Sequence, residues 1–191
     1  MQHIVVHTKR IQRIGDRMSR LIGDLVDVAS IEAGALTVTC APCDPAQVVT
    51  EAVETFQAHA FAHGVALTAE IVQPSSSAVF DAARILQVLV NLISNAVKFT
   101  LPNGKVVVRV ACGTDALRFT VTDTGMGIPE DRADLIFERF HQLDRNDRRG
   151  VGLGLYISRC IVQGHGGRIW LESKVGEGSA FHFTLPVSSA S

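Results

Sequence analysis

Gln87, Asn91, Asn95 and Lys98 interrupt the otherwise apolar run QVLVNLISNAVKFT at 87–100. Their spacing of i, i+4, i+8 and i+11 sets four polar side chains on one stripe of a helix. An asparagine left unpaired in a packed core costs about 1 to 3 kcal/mol, so this stripe faces either solvent or something polar. Amide oxygens can coordinate Mg²⁺, and a lysine one turn further on can meet phosphate. A solvated helix face accounts for the same residues equally well.

Two further stretches carry chemistry of a related kind. In VTDTGMGIPE at 121–130 a strand ends at Asp123, and Gly125 and Gly127 permit close backbone approach to a flat ligand. A carboxylate in such a place can accept a hydrogen bond from an exocyclic amine, although an ordinary Asp-Thr-Gly turn has the same residues. GVGLGL at 150–155 runs straight into a helix. Glycines before a helix N-terminus expose N–H groups that, with the helix dipole, hold phosphate. The glycine spacing alone is weak evidence, since it lacks the parallel βαβ context of a dinucleotide fingerprint and the Gly-Lys-Ser/Thr ending of a P-loop.

The elements that must position these residues follow from periodicity. Apolar residues at 4, 11, 14, 18, 21, 25 and 28 keep a heptad seam, widened by Ile22 and Val26, so the first thirty-odd residues form one long helix of a bundle. His7 and Glu32 hold the two remaining seam positions, and Gly34 suits the helix end. LTVTC at 36–40 alternates as a strand, and Asp44-Pro45 reads as an N-cap with proline at the first helical position, opening a helix to about His63. VALTAEIV is a second strand with PSSS as its turn, and Asp81 caps the helix carrying the polar stripe. KVVVRVAC and ALRFTVTD form a hairpin around Gly113-Thr114-Asp115, a short helical piece lies near Leu135, and LGLYISRCIVQGHGG is a helix. RIWLES and SAFHFTLP close the chain as a hairpin around KVGEGS. The expected fold is α+β, a mixed and mostly antiparallel sheet covered by helices, preceded by the bundle helix.

A chain of 191 residues with 47% hydrophobic content and a formal net charge of −1 holds one main domain and offers no electrostatic case for nucleic acid or a membrane surface. It contains no uninterrupted apolar run of about 18 residues and no signal-peptide order, so a cytoplasmic location is expected. Four cysteines, Cys40, Cys43, Cys112 and Cys160, do not suggest a disulfide framework. CAPC at 40–43 could hold metal or exchange thiols, or could simply end a strand before a helix cap.

The polar stripe, the Asp/Gly pocket and the glycine loop, in that order, resemble the ATP-binding domain of sensor histidine kinases, within the wider group that includes gyrase B, Hsp90 and MutL. NLISNAVKF is similar to the N box, DTGMGI to the first glycine box, FERF at 137–140 to the F box and GVGLGL to the second glycine box. RMSRLIGDLVDVASIEAG at 17–34 is similar to the second helix of the kinases' dimerisation and phosphotransfer region, which the other ATPases of the group lack, and the closing hairpin resembles that of the kinases. The resemblance implies two parts, residues 1–33 for that helix and 34–191 for the ATP-binding domain. It also implies a portion of a two-component kinase that holds ATP and Mg²⁺, homodimerises through the dimerisation helices in a full-length parent and works with a response regulator receiver domain.

Carried over by residue, Asn95 is the Mg²⁺ ligand, Asn91 its neighbour and Lys98 a phosphate contact. Asp123 takes the adenine amine, with Gly125 and Gly127 shaping its pocket. The lid spans the residues between Phe137 and Gly150, and Gly150, Gly152, Leu153 and Gly154 let it close on the phosphates. Arg139, Arg145, Arg148 and Arg149 are lid cations, while Phe137 and Phe140 anchor the lid on the core. No catalytic residue of the chain's own is implied, because the site works by positioning. The family's acceptor histidine, followed by an acidic residue, has no match: His3 and His7 precede Ile and Thr. The chain is thus expected to begin after the first helix of its parent. Val151 stands where many of these kinases carry Thr. A regulatory nucleotide-binding module without kinase activity is the alternative, and a gyrase-type ATPase is disfavoured by Asn91, where those enzymes place Glu.

Overall fold

The computed structural model describes residues 15, 18, 19, 21–72, 78–141 and 151–187. The first described element is helix α1 (21–32), closed by Gly34 at φ 64°. Gly34 N–H donates to Ile31 O and Ala35 N–H to Ser30 O, the paired bonds that let a left-handed residue satisfy the last carbonyls of a helix. Strand β1 (Ala41–Cys43), helix α2 (Pro45–Ala62), strands β2 (Ala66–Val72) and β3 (Ala78–Phe80), and helix α3 (Ala82–Phe99) follow. Strands β4 (Lys105–Cys112) and β5 (Ala116–Asp123), two single-turn 3₁₀ pieces (Glu130–Arg132 and Leu135–Phe137), helix α4 (Gly154–Gly164) and strands β6 (Arg168–Lys174) and β7 (Gly178–Pro186) complete the order.

The main sheet runs β2-β4-β5-β7-β6, and every pairing in it is antiparallel except β2 with β4. Strand alternation puts Leu67, Val106, Val108, Val110, Leu117, Phe119, Val121, Phe181, Phe183 and Leu185 on one buried face. Helices α2, α3 and α4 cover that face. The expected α+β sandwich is the architecture found.

Two expectations about strands need correction. LTVTC is not a strand: residues 35–40 are irregular, and β1 begins at Ala41. The alternation there is one of burial, with Leu36 and Val38 turned inward near Gly164 at the end of α4, and Thr39 N–H donates to Asp81 Oδ2 at 2.9 Å instead of joining a ladder. Strand β3, unforeseen, supplies the three-residue antiparallel partner of β1. The PSSS turn and the seam positions 4, 7, 11 and 14 lie outside the described residues.

The seam itself is divided. Asp27 and Val28 are buried and Ile31 packs against the core, whereas Met18, Ile22, Leu25 and Val26 stand 56% to 59% exposed. Helix α1 therefore docks on the domain through one edge. Arg84 Nη1 donates to Asp27 Oδ1 at 2.7 Å, and Gln87 Nε2 donates to Asp27 Oδ2 at 2.6 Å. Gln87, first residue of the polar stripe, is thus spent on the helix contact and does not join the other three.

Asp81 ties three elements together. Its side chain caps α3 by accepting from Arg84 N–H at 3.1 Å, and its own N–H donates to His165 Nε2 at 3.1 Å just past the end of α4. His165 Nδ1 lies 2.8 Å from Ile161 O, so the ring is the tautomer protonated on Nδ1. Burial would raise the Asp81 carboxyl, but the hydrogen bonds from Thr39 and Arg84 N–H and the nearby positive charge hold it below its usual 3.8. A depressed carboxylate contributes stability that is present at neutral pH and is lost as pH falls below that value. Replacing Asp81 with Ala should destabilise the chain by about 2 kcal/mol in urea unfolding at pH 7, the sum of a lost cap and a second lost backbone partner.

Candidate functional site

Three elements meet at one edge of the helical layer. Asp123 ends β5 in phase with Leu117, Phe119 and Val121, so its carboxylate points to the buried side of the sheet and the residue is only 6% exposed. It accepts from Gly125 N–H at 2.8 Å. Burial pushes the carboxyl above its usual 3.8, against the lowering effect of hydrogen bonds from Gly125 and Ser179 N–H. A buried carboxylate with no cation beside it among the described residues, and with lone pairs to spare, is a ready acceptor for a polar ligand.

Gly125 lies where a Cβ would sit 2.5 Å from Phe99 O and 2.7 Å from Asp123 Oδ1, so the end of α3 and the strand end touch only because position 125 has no side chain. Gly127 is also constrained by a distant neighbour. At φ 71° its Cβ would collide with the backbone of Lys174 and Val175, so the lack of a side chain there allows the close contact with the β6–β7 turn.

On α3, Ile85, Val88, Leu89, Leu92, Ile93, Ala96 and Val97 are buried, and Asn91, Asn95 and Lys98 remain half-buried on the adjoining stripe. Asn91 Nδ2 donates to Gly154 O at 3.3 Å, bringing the stripe against the N-terminus of α4. Asn95 makes no side-chain hydrogen bond with the described residues, leaving its amide oxygen available. Lys98 Nζ lies 4.7 Å from the Phe99 ring centroid. Leu153 precedes α4 and is buried, and Gly152, at φ 76°, carries the carbonyl that accepts from Phe140 N–H at 2.9 Å. That bond joins the two sides of the segment expected to be the lid; residues 142–150, with Gly150, Arg145, Arg148 and Arg149, lie outside the described residues.

The structure sets Asn91 against Gly154 at the start of α4 and Asp123 and Gly125 against the end of α3 at Phe99, and two neighbouring residues differ from expectation. Phe137 is buried, edge-on to Phe181 at 6.3 Å, as an anchor should be, but Phe140 is 62% exposed at φ 60° and does not pack on the core among the described residues. Its backbone is held by the Gly152 bond, which turns the ring outward. Arg139 is engaged by Glu32 of α1 and lies over the Tyr156 ring at 5.5 Å, so here it is a helix-docking residue. Cys43 closes β1 before the Asp44 cap, whose carboxylate accepts from Ala46 N–H at 2.8 Å; all four cysteines are free and no metal-binding cluster occurs among the described residues. Periodicity could not reveal Ser158, a fully buried hydroxyl in the apolar seam of α4; a lone serine among Ile157, Ile161 and Val162 was its only mark.

The profile described as Histidine kinase-, DNA gyrase B-, and HSP90-like ATPase matches residues 80–189. The chain is 39% identical over 185 residues to the circadian input-output histidine kinase CikA of Synechococcus elongatus, covering 94% of this chain and 24% of that protein. It is 35% identical over 172 residues to the adaptive-response sensory kinase SasA of a Synechocystis species, covering 89% of this chain and 45% of that one. The chain therefore spans less than half the length of these curated relatives. Among solved structures, full-length ShkA in complex with AMPPNP superposes with a TM-score of 0.83 at 30% identity, over 93% of this chain and 37% of that one. No helix among the described residues is long and apolar enough to cross a membrane.

The contact at Gly125 is open to a direct check. Gly125→Ala should destabilise the folded chain by about 1 to 3 kcal/mol through overpacking. Gly23→Ala, on exposed α1 with no neighbour within 4 Å, should instead stabilise it by about 1 kcal/mol through helix propensity. Chemical unfolding of both variants reads the difference.

Proposed function

The chain belongs to the histidine kinase-, DNA gyrase B- and HSP90-like ATPase family, and from that premise we propose that it is the ATP-binding catalytic portion of a sensor histidine kinase, positioning Mg-ATP for transfer of the γ-phosphoryl group to a histidine outside this chain. The observation that carries this reading is α3 itself, whose end meets the buried carboxylate at the end of β5 and whose asparagine stripe meets the N-terminus of α4.

Asp123 accepts the hydrogen bond of the adenine amine, and Gly125 keeps the approach to it narrow. Asn95, with its uncommitted amide oxygen, would hold Mg²⁺ beside Asn91, and Lys98 would neutralise phosphate charge. Backbone N–H groups at Gly152, Leu153 and Gly154 open α4 and suit a phosphate oxygen. Bound Mg²⁺ supplies charge neutralisation for the transferred group. The protein's own residues then bind and orient, and none is asked for covalent chemistry. On this reading residues 1–33 would be the second helix of a dimerisation region and 34–191 the ATP-binding domain. The exposed stripe of Met18, Ile22, Leu25 and Val26 would be covered in a homodimeric parent whose kinase portion lies in the cytoplasm and serves a response regulator receiver domain.

Calorimetric titration with Mg-ATP should show binding that Asp123→Ala weakens about 10- to 100-fold, the value of a hydrogen bond to a charged group. Asn95→Ala should bind ATP with or without Mg²⁺ alike. A separately supplied helix carrying the acceptor histidine should become phosphorylated. Binding without transfer to any acceptor would favour the regulatory module, and sustained hydrolysis without an acceptor would favour a gyrase-type ATPase.

The raised Asp123 carboxyl adds a pH signature. Because its folded value exceeds its unfolded one, the folded chain binds the extra proton between the two, so the ionised form opposes folding at neutral pH and that cost is relieved on acidification. Adenine recognition uses the ionised form. The rise in melting midpoint produced by ATP should therefore shrink on acidification at pH values still above 3.8, where an ordinary aspartate would remain ionised. Thermal melts with and without ATP across a pH series check this.

A further inference from the structure

Ser158 is fully buried one turn into α4, between α3 and the apolar residues Ile157, Ile161 and Val162. A hydroxyl among aliphatic side chains is costly unless its bonding capacity is used. Ser158 Oγ donates to Gly154 O at 2.8 Å, the carbonyl one turn back. Its proton is thereby spent, and its lone pairs remain. Asn91 Nδ2 faces both groups, 3.4 Å from Ser158 Oγ and 3.3 Å from Gly154 O.

These two acceptors lie only 2.8 Å apart, so a single N–H of the amide is shared between them. Reversing the amide would set Oδ1 against a carbonyl oxygen and a hydroxyl oxygen with no proton between them, so its direction is decided by α4. The carboxamide also lies against Gly154, where a Cβ would come 3.3 Å from Asn91 Cγ and 3.4 Å from Oδ1. The one polar atom of Asn91 that α4 leaves unspent is Oδ1.

We infer that Ser158 is a positioning residue for nucleotide binding: acting through Asn91, it fixes the amide with Nδ2 on α4 and Oδ1 presented to the Mg-phosphate side of the site. This rests on the site reading given above. Ser158 makes no contact with nucleotide; it restricts a group that does, and outer partners of a metal site commonly affect metal affinity by about 10- to 100-fold.

The test is a double-mutant cycle read by calorimetry, with ATP titrated into the chain once with Mg²⁺ and once with EDTA. Ser158→Ala should cut the Mg²⁺ enhancement of ATP affinity by about tenfold, leaving metal-free affinity and the nucleotide-free melting midpoint unchanged. Asn91→Ala should lose the enhancement to a similar degree, and the double variant should lose no more than Asn91→Ala. Ser158→Cys, with its weak S–H donor, replaces the alanine variant if that one does not fold, with the same expectation. Full Mg²⁺ enhancement in the Ser158 variant overturns the inference. So do multiplicative losses in the double variant, or equal losses of metal-free and metal-dependent binding with a lowered melting midpoint, which would mark Ser158 as a packing residue. An unaltered chain that binds no ATP at all would overturn the site reading itself and this inference with it.

Discussion

The burial of one face of α3 is the constraint from which the site follows. Seven apolar side chains of that helix, from Ile85 to Val97, are taken up by the sheet and its neighbouring helices. A helix pinned on that face has no rotational freedom left, because turning it by one residue, about 100°, would expose aliphatic surface worth several kcal/mol. The stripe beside the buried face is therefore delivered to a fixed place. Asn91, Asn95 and Lys98 acquire their position from residues that take no part in ligand chemistry.

The same logic holds at the sheet. Asp123 continues the inward phase of Leu117, Phe119 and Val121, so a carboxylate occupies a place where the strand would otherwise put an aliphatic residue. The local cost is visible in its raised pKa, and the neighbouring backbone is arranged to limit it, through Gly125 N–H and Ser179 N–H. Functional sites often violate local packing preferences in this way while the surrounding fold remains consistent.

Polar contacts then decide how the pieces meet. Asp27, Arg84 and Gln87 lock α1 to α3, Glu32 and Arg139 join α1 to the segment before α4, and Asp81 links α3 to both the linker after α1 and the end of α4. Each bond connects elements far apart in the chain, and half-buried charge-assisted pairs of this kind favour one docking geometry over others more than they add raw stability. Arg139 shows the effect most plainly: its type suited a phosphate, and its neighbours gave it to a glutamate.

The type and order of the helices and of the longer strands were legible from the residues alone. The Asp44 and Asp81 caps, the Gly34 helix end and both hairpins arise from interactions within a few residues or from simple periodicity. The residues proposed for the site were legible too, since Asn91, Asn95, Lys98, Asp123 and the glycines lie in short ordered motifs. Whatever depends on a partner distant in sequence was decided by the tertiary structure. Leu36-to-Cys40 had a strand's alternation but no ladder to join; Gln87 shared the stripe yet was claimed by Asp27, sixty residues away; Phe140 faced outward despite its apolar ring; and Ser158 gained meaning only when α3 brought Asn91 against it. Periodicity tells which face a side chain is on, but only packing tells what that face meets.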